Sequence, residues 1–416
     1  MKNKSLSFIF LFLLFVSLSA SVQAEEFGEM TLEERSDKQI KVKSAIQEAL
    51  TELKMTEEDL NEQGDYYLDE EQNPVFQVKE DNDSTFSIKE TKNIDKLIEK
   101  IEEKLGESAE IEQVKYSFEE LVEAQDAIAD YIIQHNVSKP GTYQLSLNTV
   151  ENRIDLTVQG LTSLHEQELK KLYGDRLYFD LDENFEIAIE FNSIDDDRRR
   201  TYNKLGAGIG IAVEDGRGCT IGAIAHKDGQ YYIVTAGHCL NSETIYQFRD
   251  TSVGRIHVNS IGGGYDGGLI SIKSSSLKRY ATNGLLSQGL VGNEYDKKLV
   301  SSMIPRIGDV VCMDGLTSNH RCATITKPRT VHELIKYPGQ TLVGTQVKSY
   351  DGRQLGQGGD SGAPWHYGTS TGQSLVGIHS GTSEGSPTIG YFTPWVEYMN
   401  KYGLSLYTSN TVKALN

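Results

Sequence analysis

Gly358-Gly359-Asp360-Ser361-Gly362, preceded far upstream by Thr235-Ala236-Gly237-His238-Cys239, decides how this chain reads. A serine hydroxyl is a poor nucleophile at neutral pH until a base removes its proton. Glycines on either side of it leave room for a substrate carbonyl and for backbone N–H donors facing that carbonyl. His238 follows the apolar, β-rich run Tyr232-Ile233-Val234, a place where a strand end holds an imidazole rigidly. Rigidity matters, because a misplacement of about 1 Å costs ~100-fold in rate. Of the nine histidines, His238 is therefore the candidate base, with Ser361 the candidate nucleophile. The N–H groups of Gly359 and Ser361 are the candidate oxyanion donors, and Asp360 reads as a buried carboxylate that holds the loop.

A serine–histidine pair works better when a carboxylate fixes the imidazole tautomer and stabilises the imidazolium formed during reaction. Asp266 fits this role, since it leads into the apolar strand Leu269-Ile270-Ser271-Ile272 and so can be anchored and partly buried. Asp250 is the rival, but its neighbours Arg249 and Thr251 suggest an exposed turn.

Around these residues, short β-rich runs at 209–213, 231–235, 269–272, 308–312, 341–347 and 374–378 are separated by glycine-rich turns, the habit of an antiparallel barrel or sandwich. One short helix is predicted at 395–402. All four cysteines, Cys219, Cys239, Cys312 and Cys322, lie in this half. An even number in an exported chain suggests disulfides, of which three pairings are possible. A hairpin with its turn at Asp228-Gly229 brings Cys219 beside Cys239 and clamps the strand end carrying His238, while Cys312 and Cys322 bracket a short polar loop; the two local pairs are expected.

The remaining length has a different character. Residues 1–24 have signal-peptide grammar: Lys2 and Lys4, an apolar run, then the small-residue exit Val22-Gln23-Ala24. Secretion follows as the expectation, with no membrane association after signal removal. Residues 25–200 carry a net charge of −25 and residues 201–416 one of +4, a contrast that favours docking of one half on the other. Helix-period apolar residues run from Ile94 to Leu105 and stop at Gly106; Ser117 with Glu120 and Ser163 with Glu166 read as capping boxes. Alternation at Ile154, Leu156 and Val158, and at Phe185, Ile187 and Ile189, reads as half-buried strands, so this half is α+β. Asp195-Asp196-Asp197-Arg198-Arg199-Arg200 has nothing apolar to bury and reads as an exposed, cleavable linker near the boundary between a propeptide and a mature domain. No P-loop, zinc spacing or polybasic tract is present, so neither a metal, a cofactor nor nucleic acid is expected.

Thr235 to Cys239, Asp266 and Gly359 to Gly362 resemble the motifs of chymotrypsin-like serine peptidases, in that family's His, Asp, Ser order, and most of all the secreted bacterial streptogrisin and alpha-lytic group. Gly308-Asp309-Val310-Val311-Cys312 through Cys322 resembles that group's local disulfide loop. Tyr391-Phe392-Thr393-Pro394-Trp395 onward resembles its terminal helix and last strand. The resemblance implies two six-stranded antiparallel β-barrels with the triad between them, and a secreted, monomeric endopeptidase acting on proteins or peptides through an acyl-enzyme. It also implies that the acidic half is a propeptide that assists folding and inhibits.

The same resemblance places the pocket for the residue before the cut around Leu355 and Gly356 and around His379, Ser380, Gly381 and Thr382. Leu355 is not an acid, which argues against lysine or arginine. His379 suggests glutamate, because relatives that cut after glutamate have a histidine at the matching position. An imidazole beside Ser380 and Thr382 binds a carboxylate more strongly when protonated. Gly356 departs from those relatives, which often carry a hydroxyl residue there. A broad apolar or aromatic preference is the second reading, and an inactive binding module with a protease-like fold the third.

Overall fold

The structure is a computed structural model that describes residues 30–80, 88–182, 197–213, 217–241, 243–247, 251–261, 263–273, 278–291, 294–333, 338–383 and 385–415. The expected signal segment, the strand expected at Phe185 to Ile189, Asp195 and Asp196 of the linker, and Asp250 lie outside the described residues.

In the acidic half, helix Leu32–Leu53 starts at a capping box made by Thr31 and Glu34. It packs with helix Ile88–Leu105 over the strands Gly64–Leu68, Pro74–Lys79 and Glu110–Val114. Its buried layer joins Ile46 and Leu50 of the first helix to Ile94, Leu97, Ile98, Ile101 and Leu105, the helix stripe legible in the sequence. Ser117 and Glu120 cap helix Phe118–Gln134 as expected. The next helix, Ser163–Tyr173, is capped one residue earlier than expected: the Thr162 hydroxyl accepts from His165 N–H, so Ser163 is already inside the first turn. Leu145, Leu147, Ile154, Leu156 and Val158 complete a second core with Leu121, Ile128 and Ile132.

The second half is built almost wholly from strands. One eight-stranded sheet contains Gly218–Thr220, Ala223–Lys227, Gln230–Thr235, Thr251–Asn259 and Gly268–Ile272. Its hairpin turns at Asp228 and Gly229, both at positive φ, which a two-residue turn between right-twisted strands requires. The other sheet contains Val310–Gly315, Asn319–Glu333, Pro364–Thr369 and Gly372–Ser383. Strands Thr341–Ser349 and Ser386–Pro394 pair with it. This is the mostly β, two-sheet architecture expected, closed by helix Trp395–Tyr402, which ends at Gly403 in a left-handed cap. Most pairings are antiparallel, but Lys204–Ala207 runs parallel to Arg279–Val291, and Glu294–Ser302 parallel to Gly372–Ser383.

The second sheet is enlarged by three strands of the acidic half. Strand Tyr143–Asn148 pairs antiparallel with Asn319–Glu333, setting Gln144 opposite His332 and Ser146 opposite Thr330. Arg153–Val158 and Leu177–Leu181 extend the sheet further. A sheet edge with unpaired N–H and C=O groups is thereby covered. Elsewhere Gln39 bonds both backbone groups of Val310, and Lys43 pairs with Asp309 at 2.8 Å. Arg306, fully buried, bonds Asp65 and Asn61. The contact is therefore not simply acidic against basic, since Lys43 of the acidic half meets Asp309 of the other.

One expectation about the linker fails. Arg198 is only 5 % exposed: its guanidinium donates to the carbonyls of Gly208, Leu286 and Ser287. A charged run with nothing apolar was read as solvated, but three backbone acceptors that the barrel leaves facing inward give one arginine a buried seat.

Candidate active site

Asp266 sits just before strand Gly268–Ile272, which pairs with Gln230–Thr235, and so lies beside the turn Gly237–Cys239 that follows that strand. Gly237 makes this approach possible: a Cβ there would stand 2.8 Å from the carbonyl oxygen of Gly267. The Asp266 carboxylate accepts from the backbone N–H of His238 at 3.0 Å and lies 2.7 Å from Nδ1 of its ring. Burial pushes the Asp266 pKa up, yet the His238 ring, the His238 N–H and the Ser380 hydroxyl outweigh it and hold it below the usual carboxylate range. An ionised carboxylate only accepts, so Nδ1 carries the proton and Nε2 is left as the basic nitrogen.

The nucleophile loop is fixed from the other side. The Thr220 N–H donates to the Ser361 carbonyl at 2.8 Å, and the Thr220 hydroxyl donates to the Gly359 carbonyl at 2.8 Å. Gly362, at φ +88°, lies against the strand leading to His238: a Cβ there would stand 2.1 Å from the Thr235 hydroxyl and 2.4 Å from the Thr220 carbonyl. The nucleophile loop and the histidine turn thus meet backbone to backbone. The disulfide Cys219–Cys239 ties the strand that grips this loop to the turn that carries His238, and Cys312–Cys322 closes the other short loop.

Amide accounting within the loop separates two kinds of N–H. The Asp360 N–H donates to Gln357 and the Gly362 N–H to the carbonyl of His379. Those of Gly359 and Ser361 donate to no group among the described residues. Gly359 adopts φ +105°, a conformation that glycine takes without strain. Amides without acceptors in the loop that carries a serine are the kind of donor that a developing oxyanion requires. Asp360 is structural, as its sequence context suggested: fully buried, it accepts from the N–H groups of Thr317, Ser318 and Gln357.

The residues expected to line the pocket divide. His379, 2 % exposed, has its Nε2 beside Gly356, where a Cβ would stand 2.3 Å away. That close approach leaves no room for a side chain at 356, because the imidazole already fills the space. Thr382 and Gly381 follow on the same strand, with a register shift between His379 and Gly381. Ser380 lies near enough to Asp266 to help hold that carboxylate ionised. Leu355 is fully buried in the cluster of Trp365, Val376 and Phe392. Three contributors were missed in the sequence: Thr220, Trp365, and Thr393, whose hydroxyl donates to the Asp266 carbonyl at 3.1 Å. Single hydroxyls and a buried indole carry no motif of their own.

Comparison with solved structures yields bacterial serine proteases. The chain resembles proteases of the chymotrypsin type. Thermobifida fusca Protease A matches at 24 % identity with a TM-score of 0.39, over 50 % of this chain and all of its own. A glutamic acid specific serine protease, which uses a histidine triad in substrate binding, matches at 24 % identity and a TM-score of 0.38, over 49 % of this chain and all of its own. A chymotrypsin from Cellulomonas bogoriensis matches at 21 % identity and a TM-score of 0.35, over 50 % of this chain and all of its own. No family model matches the chain.

Proposed function

We propose that the chain is a secreted serine endopeptidase made as a zymogen, with Ser361 as nucleophile, His238 as general base and Asp266 as its orienting carboxylate. The observation that carries this is the buried Asp266–His238 contact at 2.7 Å on a turn packed against the Ser361 loop. His238 Nε2 takes the Ser361 proton as the hydroxyl attacks the scissile carbonyl, and the Gly359 and Ser361 amides receive the oxyanion. The imidazolium then protonates the leaving amine, and water hydrolyses the acyl-enzyme by the same route. Ser361→Ala tests this directly. Hydrolysis is expected to vanish with the fold unchanged, and a variant that still cleaves peptides excludes both this mechanism and its zymogen corollary. Survival of tight peptide binding without any turnover in the wild type would instead favour the binding module.

The residue preferred before the cut is glutamate. His379 beside Gly356 supports this over an open apolar slot, because the imidazole occupies the space that Gly356 leaves. Peptides matched except for Glu, Gln, Phe or Arg at that position separate the readings. His379→Ala is expected to lower kcat/KM for Glu by about 10- to 100-fold, the worth of hydrogen bonds to a charged group, and to spare Phe. Equal rates for Glu and Phe in the wild type point to the apolar preference.

The acidic half, residues 25 to about 200, acts as the propeptide. Support comes from strand Tyr143–Asn148, which completes the edge of the second sheet and templates a pairing of high sequence separation. Refolding of residues 201–416 with and without the separate acidic half measures this, and equal rates of regained activity remove the folding role.

A further inference from the structure

Trp365 and His379 lie on neighbouring antiparallel strands, Pro364–Thr369 and Gly372–Ser383. Both are buried, Trp365 completely. The indole N–H of Trp365 donates to Nδ1 of His379 at 3.2 Å. An indole nitrogen only donates, so the ring nitrogen it faces is unprotonated and the imidazole hydrogen resides on Nε2. A second proton on His379 would set two N–H groups against each other in a dry site and leave the indole hydrogen unpaired. Stacking of Trp365 on Phe392, with centroids 5.7 Å apart, keeps the indole from turning away. At the other end of the ring, Nε2 faces Gly356, beside the approach to the nucleophile loop. The titratable groups that act on His379 are His238, from the turn after Gln230–Thr235, and Asp266, ahead of Gly268–Ile272. Burial, followed by the nearby His238, drives its pKa to about 3 against the weaker pull of Asp266.

We propose that Trp365 is a specificity-positioning residue: it locks His379 as the neutral, Nε2-protonated tautomer, so that the carboxylate of the residue before the cut is read by a fixed neutral donor and not by an imidazolium. This rests on His379 lining the pocket, as argued above. It replaces the expectation that protonation strengthens recognition. Glutamate is then favoured over glutamine because a charged acceptor makes the stronger hydrogen bond to the same N–H. The preference carries no histidine titration.

The test is the ratio of kcat/KM for Glu and Gln peptides from about pH 5.5 to about pH 8, where the substrate carboxylate stays ionised. The ratio cancels titrations common to both substrates, the base included. In the wild type it is expected to stay flat within about twofold. An imidazolium reader would instead lose about 10-fold or more as pH rises through the ordinary histidine range. Trp365→Phe removes the donor and frees Nδ1 to take a proton, so its ratio is expected to climb toward acid. Because that variant also loses volume, a tryptophan analogue with sulfur in place of the indole N–H serves as the isosteric check. A flat ratio in the analogue protein removes Trp365 as the lock. Nitrogen-15 spectra of the ring in the full-length Ser361→Ala protein, assigned with His379→Gln, read the tautomer independently of turnover. A proton on Nδ1, or a wild-type ratio that titrates, overturns the proposal; a Glu preference that His379→Ala still abolishes would leave the pocket assignment standing. A wild type that prefers Glu over neither Gln nor Phe overturns the pocket assignment instead, and the spectra then decide the tautomer alone.

Discussion

Asp266 accepts from both the backbone N–H and Nδ1 of His238, so its charge fixes the ring's orientation and its tautomer together. Asp266→Asn keeps the size but presents an amide whose N–H faces Nδ1, forcing the ring into the tautomer with Nε2 protonated. A loss of about 10⁴-fold in kcat is expected, with KM little changed. Titration of the variant with a serine-directed inhibitor, alongside circular dichroism to show an intact fold, checks it; a variant within about tenfold of wild type contradicts the role. Gly362 is a different kind of constraint. Its alanine would meet the Thr235 hydroxyl and Thr220 carbonyl at bond-like distances while holding φ +88°. Gly362→Ala is therefore expected to cost at least about 1–3 kcal/mol in urea unfolding, since both strain and overlap must be relieved by moving backbone.

The elements that matter most are short. Strand Gly218–Thr220 supplies the hydroxyl and N–H that grip the nucleophile loop, and its middle residue, Cys219, is bridged to the residue after His238. Replacing both Cys219 and Cys239 by serine opens a crosslink across a sequence separation of 20. A stability loss of about 3 kcal/mol is expected from chain entropy, with kcat falling more than KM rises because base and nucleophile lose their common tether. Calorimetry and steady-state kinetics on the double variant test it, and unchanged kcat separates the bridge from positioning. Such elements were only partly legible in the sequence. The strand ending at Thr235, the hairpin at Asp228-Gly229, the two local disulfides and helix Trp395–Tyr402 were readable because apolar alternation, turn chemistry and cysteine spacing are local signals. The grip of Thr220 on Gly359 was not, since it joins residues 139 apart through one hydroxyl. The nearness of Ser380 to Asp266 is hidden for the same reason: a strand residue's neighbours follow from register, and the bulge between His379 and Gly381 resets that register.

At the scale of the whole molecule, the acidic half is wedded to the other through buried polar groups, and these make the contact sensitive to pH in two opposing ways. The charge contrast announced contact between the halves but not Arg306 with Asp65, nor Arg198 seated among carbonyls, because composition does not reveal which ions are buried. His332 faces Gln144 across the shared sheet, packs against Tyr391 and lies within reach of the Asp266 charge; burial, its chief influence, lowers its pKa to about 4. The folded protein therefore binds fewer protons there than the unfolded chain between about pH 6.5 and 4, and stability from this group is lost as pH falls through that window. Asp65 behaves oppositely. Burial raises its pKa to about 6 in spite of Arg306, with Lys43 pulling weakly in the same direction as Arg306 and Glu57 opposing them. Its contribution is fully present below the ordinary carboxylate value near 4 and is lost as pH rises through about 6. Each amounts to roughly 3 kcal/mol, so in the wild type they nearly cancel. Removing one leaves the other unopposed. In the Ser361→Ala background, which prevents self-digestion, His332→Gln is expected to gain stability relative to its parent by roughly 3 kcal/mol as pH falls from about 6.5 to 4, and Asp65→Asn to lose a similar amount. Urea midpoints measured at each pH give the differences, with titrations common to parent and variant subtracting out. Curves for the variants that run parallel to the parent would show that neither group changes its protonation on folding, and the seam between the halves would then have to be held by its strand pairing and apolar core alone.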